Sequence, residues 1–323
     1  MKAIVYSGYG SADVLESVEI PKPVPGDDEV LIKVRAASLN PLDWRFMHGK
    51  PYLIRLMTGL RKPGLGPAVD VAGEVEAVGK NVTQLKPGDA VFGSCSHALA
   101  EYACAPQSSV ETMPRNVTFE QAAAVSVAGR TALQGLRDRA HVEPGQRVLI
   151  NGAAGGVGTF AVQIAKSFGA HVTGVCSTRN VEMVRSIGAD RVIDYTTEDF
   201  TQSGEHYDLI FDCIGNHSLR AFRRALTPNG TWLGVGGSFR YSFQLIAGPL
   251  GAKLMSQFST QKFLVHLAKR SKEDLAVLRD LMESGKVVPV LDRGYRMHET
   301  RDAMRYLETG HARGKVVITV SDT

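Results

Sequence analysis

Apolar and polar residues alternate in the opening run K-A-I-V-Y, and the same two-residue period returns at 29–36, 69–78 and 90–93. A strand points successive side chains to opposite faces, so these four runs predict half-buried strands. Turn chemistry separates them, in KPVPGDD and again in LKPGD at 85–89. Past residue 119 the period lengthens. FEQAAAVSVAGRTALQGLRDRA carries Ala and Leu at helical spacing with no internal proline. A β-then-α rhythm follows: RVLIN, a glycine loop, TFAVQIAKSFG, HVTGVC, VEMVRSIG, RVIDY, YDLIFDCIG, LRAFRRAL and GTWLGVG. That alternation predicts an α/β fold, a doubly wound parallel sheet with helices on both faces.

The tail from about 267 predicts a helix in KEDLAVLRDLMESG, a strand in VVPVL, a helix in ETRDAMRYLETG and a last strand in KVVITV. The last strand has no partner of its own in the α/β run, and the simplest placement returns it to the first domain. The expected division is a mostly-β domain at 1–125, an inserted α/β domain at 126–266, and a return to the first domain at 267–323.

Composition narrows the class. Of 323 residues, 44% are hydrophobic and 22% charged, as in a water-soluble globular chain with a filled core. The longest apolar stretches fall short of the roughly 20 residues of a membrane span. MKAIVYSGYG enters strand alternation at once and does not read as a secretory signal. Four scattered cysteines (Cys95, Cys104, Cys176, Cys213) make no disulfide framework and favour a reducing compartment, here expected to be the cytoplasm. A net charge of +4 gives no reason to expect nucleic acid.

In RVLINGAAGGVGTFAVQIAK a strand, a loop with Gly152, Gly155, Gly156 and Gly158, and a helix follow one another. A dinucleotide pyrophosphate needs bare backbone N–H groups at a helix N-terminus. Gly155, Gly156 and the Val157 backbone allow that approach, and Gly158 lets the helix pack closely on the strand. The alternative is a glycine-rich turn without ligand. A phosphate-binding P-loop is excluded, because no Gly-Lys-Ser/Thr follows.

Ser177 lies 19 residues after Gly158, just beyond the second strand of this unit. An Asp or Glu there would accept from the adenosine ribose and repel a 2′-phosphate. Ser177, Thr178 and Arg179 instead supply hydroxyl and guanidinium donors, which suit a phosphate. Arg179 therefore reads as a ligand of the NADPH 2′-phosphate, against the plainer alternative of a solvated arginine at a helix start.

These motifs, together with SLNPLDW, VDVAGEVEAVGKNV followed by KPGDAVFG, AEYACAP, GRTAL, GADRVIDY and HARGKVVITV, resemble the zinc-independent quinone oxidoreductases of the medium-chain dehydrogenase/reductase superfamily, the ζ-crystallin-like group. The likeness covers nearly the whole chain. It implies a GroES-like catalytic domain, an inserted Rossmann-type NADP-binding domain and an active site in the cleft between them. Where zinc-dependent relatives place a cysteine, a histidine and a third thiolate, this chain resembles them with Asn40, Val69 and a position near Val127, so no catalytic metal is expected. The spacing Cys95-x-His97-x6-Cys104 matches no trusted metal pattern.

For nicotinamide and substrate the resemblance points to Asn40, Asp43, Tyr52 and Thr131. Tyr52 follows Gly49 by three residues where the family's tyrosine follows by two, and its alternative is a wedge between loops. Asp43 has a second reading as a cap on backbone N–H groups after Asn-Pro. Tyr195 matches the residue beside the 2′-phosphate, and Gly215 and Gly236 end strands where backbone runs beside the cofactor. Segments 51–67 and 238–258 are candidates for a pocket wall, a dimer interface or a membrane contact.

The resulting expectation is NADPH-dependent reduction of small apolar quinones or α,β-unsaturated carbonyls by direct hydride transfer, in a homodimer without stable membrane insertion. An NAD(P)-dependent alcohol or carbonyl dehydrogenase, and a low-turnover NADPH-binding scaffold or RNA-binding regulator, remain as alternatives.

Overall fold

Alternation in the first third of the chain becomes, in a computed structural model, seven strands: β1 (Lys2–Tyr6), β2 (Leu15–Glu19), β3 (Glu29–Leu39), β4 (Asp70–Val78), β5 (Ala90–Ser94), β6 (Tyr102–Pro106) and β7 (Val110–Thr112). The structure describes residues 1–50, 52–64, 66–235 and 260–320. Two units divide them: residues 1–127, 270–285 and 289–323 form the first, residues 128–269 and 286–288 the second.

Two helices follow β3. The first, α1 (Pro41–His48), has its start and stop written in N-P-L-D-W-R-F-M-H-G. Pro41 occupies the first turn, where its missing N–H costs nothing, and Gly49 closes the helix at φ 58°. A short α2 (Leu53–Thr58) comes next. Near 119–140 the expected single helix is broken into α3 (Phe119–Ala123), α4 (Ser126–Gln134) and a π-helical turn over Gly135–Arg139. At the break, Ser126 Oγ lies 2.6 Å from Ser94 Oγ at the end of β5, a tertiary bond that sequence periodicity does not reveal.

The second unit carries β8 (Arg147–Asn151), α5 (Gly156–Ser167), β9 (His171–Cys176), α6 (Val181–Ser186), β10 (Arg191–Asp194), β11 (Tyr207–Asp212), α7 (Leu219–Ala225), β12 (Leu226–Val235) and β13 (Lys262–His266). All six strands are parallel, in the order β10-β9-β8-β11-β12-β13. The strand order reverses between β8 and β11, and open sheets of this kind bind ligands outside that point. Leu149, Val175, Ile193, Ile210, Phe222 and Trp232 belong to its core.

The chain then returns to the first unit as α8 (Lys272–Glu283), β14 (Leu291–Arg296), α9 (Thr300–Glu308) and β15 (Lys315–Thr319). β15 pairs antiparallel with β3, completing the sheet β14-β15-β3-β4-β5-β7, while β6 adds to β3 as well. Ile32, Val34, Val71, Val75, Val91 and Ile318 pack in its core. The strand expected in VVPVL begins only at Leu291. Pro289 has no N–H for a ladder, and the Val288 N–H is taken by Gln163 Oε1 at 2.8 Å. Among the described residues no helix is long and apolar enough to cross a membrane.

Candidate functional site

Within the first unit, four elements bring polar groups into one buried place. Ser38 is the last but one residue of β3, Asn40 precedes α1, Asp70 opens β4 and Lys315 opens β15. All four are buried. Lys315 Nζ lies 2.6 Å from Asn40 Oδ1 and 3.1 Å from Asp70 Oδ2. Asn40 Nδ2 donates to the same Asp70 oxygen at 3.0 Å, and Ser38 Oγ donates to it at 3.1 Å. The Val127 N–H satisfies the other oxygen at 3.0 Å. An ammonium has only donors and a carboxylate only acceptors, so the Asn40 amide can lie only one way round between them.

Asp43, one turn into α1, accepts the Asn40 N–H at 2.6 Å and is also bonded by the backbone of Ala68. Ala68 holds a left-handed φ of 65°, a strained conformation for a residue with a Cβ, two positions before Asp70. Asp43 thus ties the start of α1 to the entry of β4. Burial pushes its carboxyl up to about 7, against the two backbone donors; nearby Asp70 raises it further and Lys315 lowers it.

Tyr52 stands apart from this buried group. It is 67% exposed at the start of α2, its ring 4.9 Å from the Arg55 guanidinium. The same guanidinium lies 4.3 Å from the Tyr9 ring and donates to Gly49 O at 3.2 Å. Tyr9 in turn bonds Thr58 Oγ1 at 2.7 Å and donates to Gly59 O. Leu56 and Leu60 are exposed nearby, at 70% and 74%. Cys95 is buried, and burial drives its thiol up to about 12. Burial also lowers His97. Among the described residues no group of three or more His, Cys, Asp or Glu is placed to hold a metal ion.

In the second unit, the glycines divide by role. A Cβ on Gly158 would lie 2.1 Å from Gly152 O and 2.9 Å from Ala153, so the helix packs there at backbone distance. A Cβ on Gly155 would meet nothing closer than Gly152 O at 3.5 Å. Gly155, the N-cap of α5, has its own N–H bonded to Gly152 O at 3.1 Å, but no side chain caps the helix end, so the N–H groups of the first turn suit an anionic ligand. A dinucleotide pyrophosphate fits this loop, with Gly156 and Val157 opening the helix behind it.

At the strand reversal, the buried Asp212 carboxylate accepts from Asn151 Nδ2 at 2.8 Å, from the N–H groups of Ile214 and Gly215 at 3.1 and 3.0 Å, and from Trp232 Nε1 at 3.1 Å. Gly215, at φ 70°, is therefore fixed by Asp212. Nothing in its sequence context separates Asp212 from any acid at a strand end; these donors come from three segments. Ser177 follows β9, with Arg179 exposed in the next turn and Tyr195 58% exposed after β10. The Tyr195 N–H donates to Cys176 O at 3.0 Å, which sets the two strand ends side by side. Thr131 is buried on α4. Gly236 and segment 238–258 lie outside the described residues.

Comparison with known proteins places both units. Residues 26–115 match the family model for the alcohol dehydrogenase GroES-like domain, and residues 187–318 that for zinc-binding dehydrogenases. The chain is 36% identical to the chloroplast envelope quinone oxidoreductase homolog of Arabidopsis thaliana, over 98% of each protein. It is 37% identical to an NADPH-dependent alkenal/one oxidoreductase, chloroplastic, of the same plant, over 98% of this chain and 79% of that one. A solved quinone oxidoreductase from Coxiella burnetii superposes with a TM-score of 0.87 at 31% identity, over 99% of each chain.

Two outcomes test this geometry. Gly158→Ala is expected to lower the melting temperature by several degrees with or without nucleotide, since backbone must move by an ångström or more. Gly155→Ala is expected to leave the ligand-free melting temperature within about two degrees while weakening nucleotide binding, as calorimetry would read. For Asp43, a carboxyl held near 7 when folded and near 4 when unfolded stabilises the fold below pH 4 and loses that contribution as pH rises through 7. Asp43→Asn cannot ionise. Between pH 4.5 and 8, urea unfolding of the native protein is expected to lose about 2–4 kcal/mol relative to this variant; a difference independent of pH would remove Asp43 from this role.

Proposed function

Since the chain belongs to the medium-chain dehydrogenase/reductase superfamily, among its quinone oxidoreductases, we propose that it is an NADPH-dependent reductase of quinones or α,β-unsaturated carbonyls. The observation that carries the cofactor choice is the Ser177–Arg179 turn at the end of β9, where donors stand in place of an acid. Bound NADPH would supply the hydride. The chain's own part is to hold it: the α5 N-terminus takes the pyrophosphate, and Ser177, Arg179 and Tyr195 take the adenosine 2′-phosphate. Gly215 and Thr131 line the remainder.

For the substrate, exposed Tyr52, Leu56 and Leu60 offer an apolar surface with one hydroxyl, which suits a quinone or enone more than a sugar or an acid. Val69 and Val127 have no lone pair to offer a metal, and Asn40 is committed to Lys315 and Asp70. Charge developing on a substrate oxygen is therefore left to neutral donors, Tyr52 first and the second Asn40 N–H after it. The four thiols are free, as a reducing compartment such as the cytoplasm would keep them.

An Arg–phosphate contact of this kind contributes about 1.5–3 kcal/mol. NADPH should bind at least about tenfold more tightly than NADH, and Arg179→Ala should remove most of the gap; equal dissociation constants in the unaltered protein would overturn the cofactor assignment. Tyr52→Phe is expected to slow single-turnover enone reduction about tenfold while quinone reduction, which leaves a delocalised hydroquinone anion, changes only severalfold. If both rates fall together, Tyr52 positions substrate instead of stabilising charge.

A further inference from the structure

The turn assigned to the 2′-phosphate is held in place by an acid on the neighbouring strand. Register puts Asp194, the last residue of β10, opposite Cys176, the last residue of β9. Asp194 Oδ1 accepts the Thr196 N–H at 3.0 Å and the Thr196 hydroxyl at 2.8 Å. Those two bonds are local and would form in many strand-end turns. The others cross between strands. With its own proton given to Asp194, the Thr196 hydroxyl accepts from that of Thr178 at 3.0 Å, and the Thr178 and Thr196 donors around it hold the Asp194 carboxyl below the usual carboxylate range. Thr178 sits between Ser177 and Arg179, so the carboxylate reaches the middle of the turn through the Thr196 hydroxyl. From the other side Asn180, 7% exposed, donates through Nδ2 to Ser177 Oγ at 3.2 Å. That bond occupies a lone pair of the hydroxyl and leaves its proton for a ligand.

A carboxylate beside an anion site would ordinarily weaken binding. Here its charge is met by hydroxyl and N–H donors at an exposed strand end, where water and salt screen what remains to a few-fold in affinity at most. The turn it holds carries the donors themselves. We infer that Asp194 is a positioning residue for the cofactor's 2′-phosphate: through Thr178 and Thr196 it fixes the Ser177–Arg179 turn, so that an acid next to an anion site strengthens anion binding. The inference rests on the NADPH reading above and deepens it.

The sign of one substitution separates holding from repulsion. Adenosine 2′,5′-bisphosphate and 5′-AMP would be titrated calorimetrically into the full chain, so that neither substrate nor turnover enters. The unaltered protein should prefer the bisphosphate by about tenfold or more. Asp194→Ala should weaken the bisphosphate about fivefold or more and leave 5′-AMP within twofold. Thr196→Val, which removes only the bridging hydroxyl, should shift the preference the same way by a smaller factor, and Thr196→Ser should restore it. That pair keeps the test decisive even where Asp194→Ala folds poorly. Tighter or unchanged bisphosphate binding in Asp194→Ala and Thr196→Val would overturn the inference, as would equal losses for both ligands. Equal affinities in the unaltered protein would instead overturn the 2′-phosphate assignment, and this inference with it.

Discussion

An ammonium with almost no water around it must be surrounded by acceptors, and in this chain that requirement joins segments from both ends of the sequence. Lys315 finds its partners in Asn40 and Asp70. Removing one member of a buried pair leaves the other uncompensated, at a cost of about 3–5 kcal/mol. Ser38, Asn40, Asp70 and the start of α4 are consequently set relative to one another by charge as well as by ladder hydrogen bonds. Asp43 adds a second carboxyl without a second cation. Its near-neutral pKa comes first from burial, with the neighbouring Asp70 charge adding to the rise. These segments are gathered by a lysine and an amide.

The second unit solves a different problem. A parallel sheet delivers its strand ends to one edge, but the loops beyond them have no ladder to shape them. Asp212 shapes the loop carrying Gly215 by accepting bonds from three segments, and the uncapped α5 leaves its N–H groups for a ligand. Asp194 is arranged on a similar plan at the end of β10, three strands away at the edge of the sheet. In both cases a carboxylate organises a loop by accepting its hydroxyl and N–H donors, and other residues are the ones expected to touch ligand.

Local chemistry made much of this legible from sequence. The α/β rhythm, the glycine loop and the reading of Asp43 as a cap after Asn-Pro all depend on residues a few positions apart, and the first two read correctly as a fold class while Asp43 does accept the Asn40 N–H. The lack of a partner for KVVITV likewise pointed to its return to the first sheet. Lys315, Asp70, Asp212 and Asp194 did not declare themselves. In HARGKVVITV the lysine looks like a solvated strand start, because the acceptors that bury it lie 245 and 275 positions away. The VVPVL strand misled for the opposite reason: its apolar run is genuine, but Pro289 and the bond from the Val288 N–H to Gln163 keep it out of a ladder. Short strands such as β7 and β13 carry too few alternations to separate from loop.

The position of Lys315 also bears on how the molecule comes into being. Chains emerge from the ribosome N-terminus first, and domains tend to fold as they appear. Here β3 and β4 are made early, yet β15 and its ammonium arrive only after the entire six-stranded unit has been synthesised. Until then Asp70 and Asn40 have no cation, and the edge of β3 that β15 will cover is an open template for other strands. The nucleotide-binding unit, whose pairings are nearer in sequence, can form while its host is still incomplete. The order of assembly is therefore the reverse of the order of the chain: the insert matures first, and the first-made sheet is sealed last.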